Sequence, residues 1–431
     1  MAAGGRWVRV VGLWWALLAL PALAEVVVKV APERAEAVYA VGEQATWTAT
    51  VSSDGQACEG TVSYDLRRGG LTRLDSGKVE LKSGSASFRG TLAEPGALLL
   101  TVTYEPVPGQ RKQGWGGAVF NPDGIKASAP PPDDFDAFWE AKLAELAAVP
   151  MNAQVEPIPT ELPDIEYARV TMDNIRGTRI YGQMAWPKGK TGLPAVLTVQ
   201  WAGVYPLQRD WVIGEARRGR LVLNLMAHDL PFDRPKTYYD ELSATTLKSY
   251  PGIGREDREQ SYFLRMFLSC YRGADYLAQH PAWDGRNLLA QGGSQGGGQA
   301  VVAAGLHPAV SAISASVPAL CDHTGQLVGR AAGWPKFTGW GDKPDSEAAL
   351  KAAPYYDAVN FARRVKARSA LVGVGLIDTT CPPEGVIAMY NALPCNKQLV
   401  IMPLSGHQGP GQDAFYRARE SWLNALLTAA P

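Results

Sequence analysis

Cysteine is scarce in this chain: five in 431 residues (Cys58, Cys270, Cys321, Cys381 and Cys395), an odd number with no CxxC pair and no metal-ligand spacing. No disulfide framework, zinc knuckle or dithiol redox motif is therefore expected, and the cysteines read as small core residues. Histidine is equally scarce, and His228, His280, His307 and His323 lack the helical or strand spacing of metal ligands; they read as structural or surface residues, and no metal site is expected. Charge of one sign is not in excess, with 42 Lys and Arg against 42 Asp and Glu and no block of like charge. Nucleic acid and anionic membranes thereby lose the electrostatic footprint they need on a partner. Past residue 24 there is no apolar run long enough to span a bilayer, no internal repeat and no low-complexity tract.

The first 24 residues do carry an apolar run, from Val10 to Leu20, preceded by Arg6 and Arg9 and followed by Ala22-Leu23-Ala24. This is the order of a signal peptide with a small-x-small cleavage site, and the run is short for a membrane anchor. An exported protein starting at Glu25, periplasmic or extracellular and free of the membrane after cleavage, is expected. Removing Arg6 and Arg9 leaves 40 basic against 42 acidic residues, a net charge of −2.

From residue 25 to 120 the chain is a series of short runs rich in Val, Thr, Tyr and Leu: Glu25-Val30, Ala45-Val51, Thr61-Leu66, Val79-Leu81, Ala86-Leu92 and Leu98-Tyr104. Gly, Pro, Asp and Ser separate them, which predicts an all-β, immunoglobulin-like sandwich, without the paired cysteines of true immunoglobulin domains. Residues 121–132, with Asn-Pro-Asp-Gly and Pro130-Pro131-Pro132, read as a linker. Asp133 and Asp134 then stand as N-caps to a helix whose apolar residues are Phe135, Phe138, Trp139, Leu143 and Leu146. Over 133–431 strands and helices alternate. Leu193-Gln200, Arg220-Met226, Asn287-Gly293, Ser369-Ile377 and Gln398-Met402 are the strands, and helices are expected at 263–277, 295–306 and 413–427. The pattern predicts an α/β domain, a mostly parallel sheet with helices on both faces.

The chemistry concentrates at Gly292-Gly293-Ser294-Gln295-Gly296, a G-x-S-x-G match between a predicted strand and a predicted helix. Glycines two before and two after the serine remove the side chains that would clash in such an elbow, and the helix N-terminus aims free N–H groups at a developing oxyanion. A plain Gly-rich turn is the bland alternative; a phosphate loop lacks its lysine. In the chain order Ser, acid, His, the fitting histidine is His407, in Ser405-Gly406-His407-Gln408-Gly409 just after the last strand, as general base. Asp378, at the end of Leu371–Ile377, is the expected acid, with Asp357 and Glu384 as fallbacks. Oxyanion donors are expected from the backbone N–H of Gln295 and of Val204 or Gly203, in the loop after Leu193-Gln200. Trp201 and Tyr205, with Trp334, Phe337 and Trp340 behind them, are candidates for a sugar-stacking rim, against the commoner role of aromatics as core.

These residues resemble a known family. Pro132-Asp133-Asp134-Phe135-Asp136-Ala137-Phe138-Trp139, Gly292-Gly293-Ser294-Gln295-Gly296-Gly297, Gly375-Leu376-Ile377-Asp378 with Cys381-Pro382-Pro383, and Gly406-His407 are similar to the acetyl xylan esterase and cephalosporin-C deacetylase family. The resemblance covers about Pro130 to the C-terminus. It implies an α/β-hydrolase fold, a triad carried onto Ser294, Asp378 and His407, and removal of acetyl groups from xylan-type carbohydrate without a cofactor. Three segments depart from the family pattern. Met226-Ala227-His228-Asp229 stands where Arg-Gly-Gln is usual, His407-Gln408 where His-Glu is usual, and Ala202-Gly203-Val204 where His-Gly-Tyr is usual.

The expectation is a secreted carbohydrate acetyl esterase acting on an acetylated carbohydrate, its oligomeric state open. A secreted prolyl-type peptidase shares the fold but needs acidic residues for a substrate amino group. A catalytically silent glycan-binding protein would not need the three triad residues. The N-terminal sandwich either binds carbohydrate or packs against the catalytic domain as a spacer; showing no aromatic strip, it is expected to be a spacer.

Overall fold

The computed structural model describes Met1 and residues 25–339 and 346–428. The expected signal peptide, apart from Met1, and Trp340 lie outside the described residues.

The N-terminal region forms two facing β-sheets. One joins Val26–Pro32, Ala45–Ser53, Gln56–Ala57 and Ser85–Gly90; the other runs in the order Val38–Tyr39, Lys112–Phe120, Gly96–Tyr104, Thr61–Arg68, Thr72–Glu80. Period-2 alternation puts Trp47, Val62, Leu66, Phe88, Leu98, Leu100 and Val102 into the core between them. The strand Lys112–Phe120 was not expected from the sequence, and Thr72–Glu80 reaches well beyond the expected Val79-Leu81. Residues 121–132 are fastened down: Asn391 Nδ2 donates to the carbonyls of Pro122 and Ile125 (both 2.8 Å), and Arg330 Nη2 to that of Lys126 (2.6 Å).

A third sheet has nine strands in the order Gln154–Pro157, Ile165–Asp173, Arg179–Pro187, Leu221–Leu225, Leu193–Thr198, Trp283–Gly293, Ala312–Ser316, Ser369–Gly375, Asn396–Met402. From Leu221–Leu225 onward every pairing is parallel, and the three strands before it are antiparallel. Alternate residues of each strand belong to different cores, which requires cover on both faces. Ala195, Leu197, Leu223 and Ala290 pack with the helices Tyr262–Ala278 and Gln295–Leu306, while Val196, Val222 and Leu289 pack with Asp210–Ala216 and Asp413–Thr428. The helix face Phe263, Met266, Phe267, Cys270, Ala274 and Leu277 is buried throughout. Helix Phe135–Ala147 buries Phe135, Phe138, Trp139 and Leu146 as expected, but Asp134 does not cap it. Its carboxylate binds Arg258 (2.6 Å) and Tyr355 instead, since an ion pair outcompetes an exposed backbone N–H. Among the described residues no helix is long and apolar enough to cross a membrane.

Candidate active site

Ser294 sits between the strand Trp283–Gly293 and the helix Gln295–Leu306, with φ 54° and ψ −125°. A non-glycine residue pays for that left-handed φ. The turn closes only because its neighbours lack side chains: a Cβ on Gly292 would lie 2.5 Å from Gly296 C, and one on Gly296 2.3 Å from Val199 O. Ser294 is thereby lifted out of the sheet at the parallel strands' C-terminal ends, where open α/β sheets hold their ligands.

His407 Nε2 lies 2.9 Å from Ser294 Oγ, and Nδ1 2.8 Å from Asp378 Oδ2. Asp378 is almost fully buried, and its Oδ1 accepts the N–H groups of Thr380 and Cys381 (both 2.8 Å). A carboxylate only accepts, so the imidazole carries its proton on Nδ1 and offers the Nε2 lone pair to the serine hydroxyl. Asp378, Cys381 and His407 present atoms within 4.8 Å of one another, a spacing that a metal ion could use. Two of them are already bonded to each other, however, and burial, helped by the charge of Asp378, holds the Cys381 thiol well above its usual range and so protonated. The donor set fits a hydrogen-bonded triad better than a cation.

Neither fallback acid is free to orient a histidine. Asp357 caps the short helix Ala358–Ala362 through Val359 N–H (3.0 Å) and accepts the amides of Asp322 (2.9 Å) and His323 (2.7 Å). Glu384 Oε1 accepts the amide of Ala97, from the N-terminal sheets, at 2.6 Å.

The loop after Leu193–Thr198 brings Gly203 and Val204 towards the elbow. The Gly203 N–H points at Tyr250 Oη (3.4 Å), and Tyr250 in turn donates to Gln295 Oε1 (2.5 Å). That amide is therefore committed, while the N–H groups of Val204 and Gln295 make no bond among the described residues. Gly203 has φ +130°, conformation rather than donation being its part. Its carbonyl lies 2.9 Å from His228 Nε2, and His228 Nδ1 lies 2.7 Å from Tyr262 Oη. A carbonyl only accepts, so His228 donates from Nε2 and accepts the Tyr262 hydroxyl at Nδ1. Burial pushes His228 down to about 4, so it stays neutral. The sequence offered no signal for this bracket, because Tyr250 and Tyr262 are far from His228 along the chain.

Trp201 is exposed (46%) and stacks on Tyr205 at 5.1 Å. Together with Val204 and Trp211, they line a cavity of about 440 Å³ next to the loop of Gly203 and Val204. Trp211 escaped the sequence reading because it lies on a short helix, Asp210–Ala216, with no motif. Phe337 is not part of a rim: it is 2% exposed and packs against Phe263 and His323. Trp334 is half-buried beside Phe263 and Tyr250. Among the other histidines, Nδ1 of His280 and of His307 accepts a local backbone N–H (3.2 Å each). His323 is fully buried with neither ring nitrogen hydrogen-bonded, a structural residue as expected but one whose ring is held by packing alone.

A mixed sheet covered on both faces, with a serine at a strained strand-to-helix elbow and a histidine and a carboxylate behind it, defines the α/β-hydrolase class of esterases. Comparison with known proteins narrows this. Residues 124–425 match the family model described as acetyl xylan esterase. The acetyl esterase Axe7A of Xylanibacter ruminicola is 31% identical over 383 residues, covering 87% of this chain and 85% of that protein. That alignment covers more of the chain than residues 124–425, so it reaches into the N-terminal sheets. The acetyl xylan esterase of Paenibacillus sp. R4 superposes with a TM-score of 0.61 at 25% identity, over 70% of this chain and 98% of that one. Acetyl xylan esterase 1 of Thermoanaerobacterium sp. JW/SL YS485 gives 0.60 at 22% identity, over 69% and 96%. The chain belongs to the acetyl xylan esterase family and is a carboxylic ester hydrolase.

Proposed function

We propose that the protein is an exported esterase that removes acetyl groups from xylan-type oligo- or polysaccharides, with Ser294 as nucleophile, His407 as general base and acid, and Asp378 as the orienting carboxylate. The observation that carries this reading is the continuous hydrogen-bond chain from Asp378 through His407 to Ser294 at a strained elbow. Nε2 takes the hydroxyl proton as Oγ attacks the acetyl carbonyl, and the charge moving onto the carbonyl oxygen is met by the free N–H groups of Gln295 and Val204. The same Nε2–H then protonates the departing sugar oxygen. Water, deprotonated by His407, releases acetate from the acyl-enzyme, so the cycle needs no cofactor. Trp201 and Tyr205 supply a flat aromatic wall beside the acyl site.

Residues 1–24 are read as the signal peptide and residues 133–431 as the catalytic domain. Residues 25–120 are read as an immunoglobulin-like sandwich joined through 121–132. Acetate release from acetylated xylo-oligosaccharides by the mature chain, beside Ser294→Ala and with an aryl acetate as control, tests the proposal. Release abolished by the substitution is expected. Turnover of the aryl acetate alone would discard xylan as the substrate, and turnover of neither would sink the esterase mechanism.

A further inference from the structure

The strand Lys112–Phe120 alternates its faces with unusual economy. Gly114 and Gly116 face the sandwich core, where a Cβ would meet Val28 O at 2.6 Å and Trp47 Cδ1 at 2.7 Å. Gln113, Trp115 and Gly117 therefore face outward. The outward place at Gly117 is taken by the catalytic sheet's own chain: a Cβ there would lie 2.5 Å from Leu376 Cβ. Leu376 stands two residues before Asp378. Trp115 precedes Gly117 by two residues on the same face, roughly 7 Å along the strand. An exposed indole thus stands one side-chain step from where the acid loop touches down on the sandwich.

The strand register extends this face sideways. Trp115 is opposite Thr101, Thr101 opposite Asp65, and Asp65 opposite Ser76; the next rank is Gln113, Thr103, Ser63 and Lys78. Asp65 is clamped by Arg67 (3.0 and 3.1 Å) and Arg73 (3.0 and 2.6 Å), which holds the carboxylate and both guanidinium groups in place. Trp115 is 40% exposed, and its indole N–H makes no hydrogen bond among the described residues. Over this face runs a groove of about 680 Å³, whose lining extends to Thr379, the residue after Asp378. A smaller pocket of about 150 Å³ shares Gly70, Leu99 and Thr379 with the groove and is lined by Asp378 as well.

We infer that this outer face around Trp115 is an oligosaccharide-binding surface, holding sugar residues that flank the acetylated one delivered to Ser294. The inference rests on the carbohydrate-esterase reading above. A neutral sugar has an apolar C–H face, which packs on an indole, and a rim of hydroxyls, which needs short hydroxyl, amide and ion-paired partners at fixed positions. The face provides both, whereas a lipid or an apolar peptide would need an apolar trough, and the residues lining the groove are largely polar. Continuity with the acid loop supplies the reason for the sandwich to sit there, and replaces the expectation of a mere spacer.

The test joins kinetics to direct binding. Trp115→Ala should raise KM for acetylated xylo-oligosaccharides roughly tenfold, with kcat kept within about twofold. Aryl acetate kinetics should not change, and Trp115→Phe should recover part of the KM. In calorimetry, Ser294→Ala protein should bind unsubstituted xylo-oligosaccharide, and Ser294→Ala combined with Trp115→Ala should not. An unchanged KM overturns the inference, as does a parallel fall in aryl acetate turnover, which would mean a displaced acid loop. If wild-type protein cleaves aryl acetate but not acetylated xylan, the proposed substrate fails, and calorimetry still decides the surface. Trp115-dependent binding then supports it, and no binding overturns it.

Discussion

The bracket behind the loop of Gly203 and Val204 yields a quantitative expectation for His228. Its Nε2–H is the only side-chain donor to Gly203 O among the described residues, at 2.9 Å, and this bond fixes the plane of the peptide whose N–H belongs to Val204. In His228→Ala the Gly203 carbonyl and the Tyr262 hydroxyl both lose their buried partner. Each loss costs about 1–3 kcal/mol of stability. On the proposed mechanism, the catalytic cost is the misaiming of one oxyanion donor, which when removed outright is worth about 100- to 1000-fold in kcat. Because Tyr250 still restrains Gly203 from its N–H side, a fall in kcat of roughly 10- to 100-fold is expected, with KM for a small aryl acetate little changed. His228→Gln, whose amide N–H can reach the same carbonyl, should recover most of it.

His228 itself stays neutral in an assay between about pH 5 and 8, because burial holds it at about 4. A pKa depressed in the folded state stabilises the fold above the unfolded value near 6.5, and that contribution is lost as pH falls through 4. Steady-state kinetics on aryl acetate, with urea unfolding of each variant, make the measurement. A His228→Ala enzyme that stays folded and keeps wild-type kcat would refute the argument. So would a kcat that His228→Gln fails to improve at equal stability.

Three other substitutions probe separate steps. Gly296→Ala puts a Cβ 2.3 Å from Val199 O, backbone that has no rotamer to escape into. At least 1–3 kcal/mol of stability, about the cost of overpacking, should be lost, read as a lower urea midpoint, and kcat should collapse with it. Asp378→Asn keeps two acceptor bonds from Thr380 and Cys381 but turns the imidazole towards its wrong tautomer, so kcat should drop on the order of 10⁴-fold with circular dichroism unchanged. Asp357 is pushed up to about 7, first by burial and then by the charge of Asp322, against the pull of three backbone amides. The folded state then holds a proton that the unfolded chain releases near 4. Stability should therefore fall as pH rises from about 4 to 7, and Asp357→Asn should flatten that slope in urea melts at the two ends of the window.

Much of the α/β half was legible in the sequence because its signals are local. Buried parallel strands are written as continuous apolar runs, and the elbow is written as glycines around Ser294, so the order of strand, serine and helix could be read directly. Four strands of the sheet were not expected: Gln154–Pro157, Ile165–Asp173 and Arg179–Pro187, antiparallel members that carry Glu, Arg, Asp and Gln among their apolar residues, and Ala312–Ser316, a parallel strand of five whose two serines and two alanines break the apolar run. Lys112–Phe120 was hidden for a different reason. Three glycines in nine residues suppress the β signal, yet the strand needs two of them to clear Val28 and Trp47 and one to admit Leu376.

By itself, then, the sequence determined the strand, serine and helix elbow at Ser294 and the class of sheet, because each depends on neighbours within a few residues. Only the tertiary structure decided which carboxylate faces His407, since Asp378, Asp357 and Glu384 are all plausible acids along the chain. Their partners come from remote segments: His407 for the first, the Asp322–His323 turn for the second, and Ala97 of the sandwich for the third. The same holds for the amides of Gly203 and Val204. Adjacent in sequence, they are separated in role by Tyr250 and His228, which the fold brings to opposite sides of a single glycine.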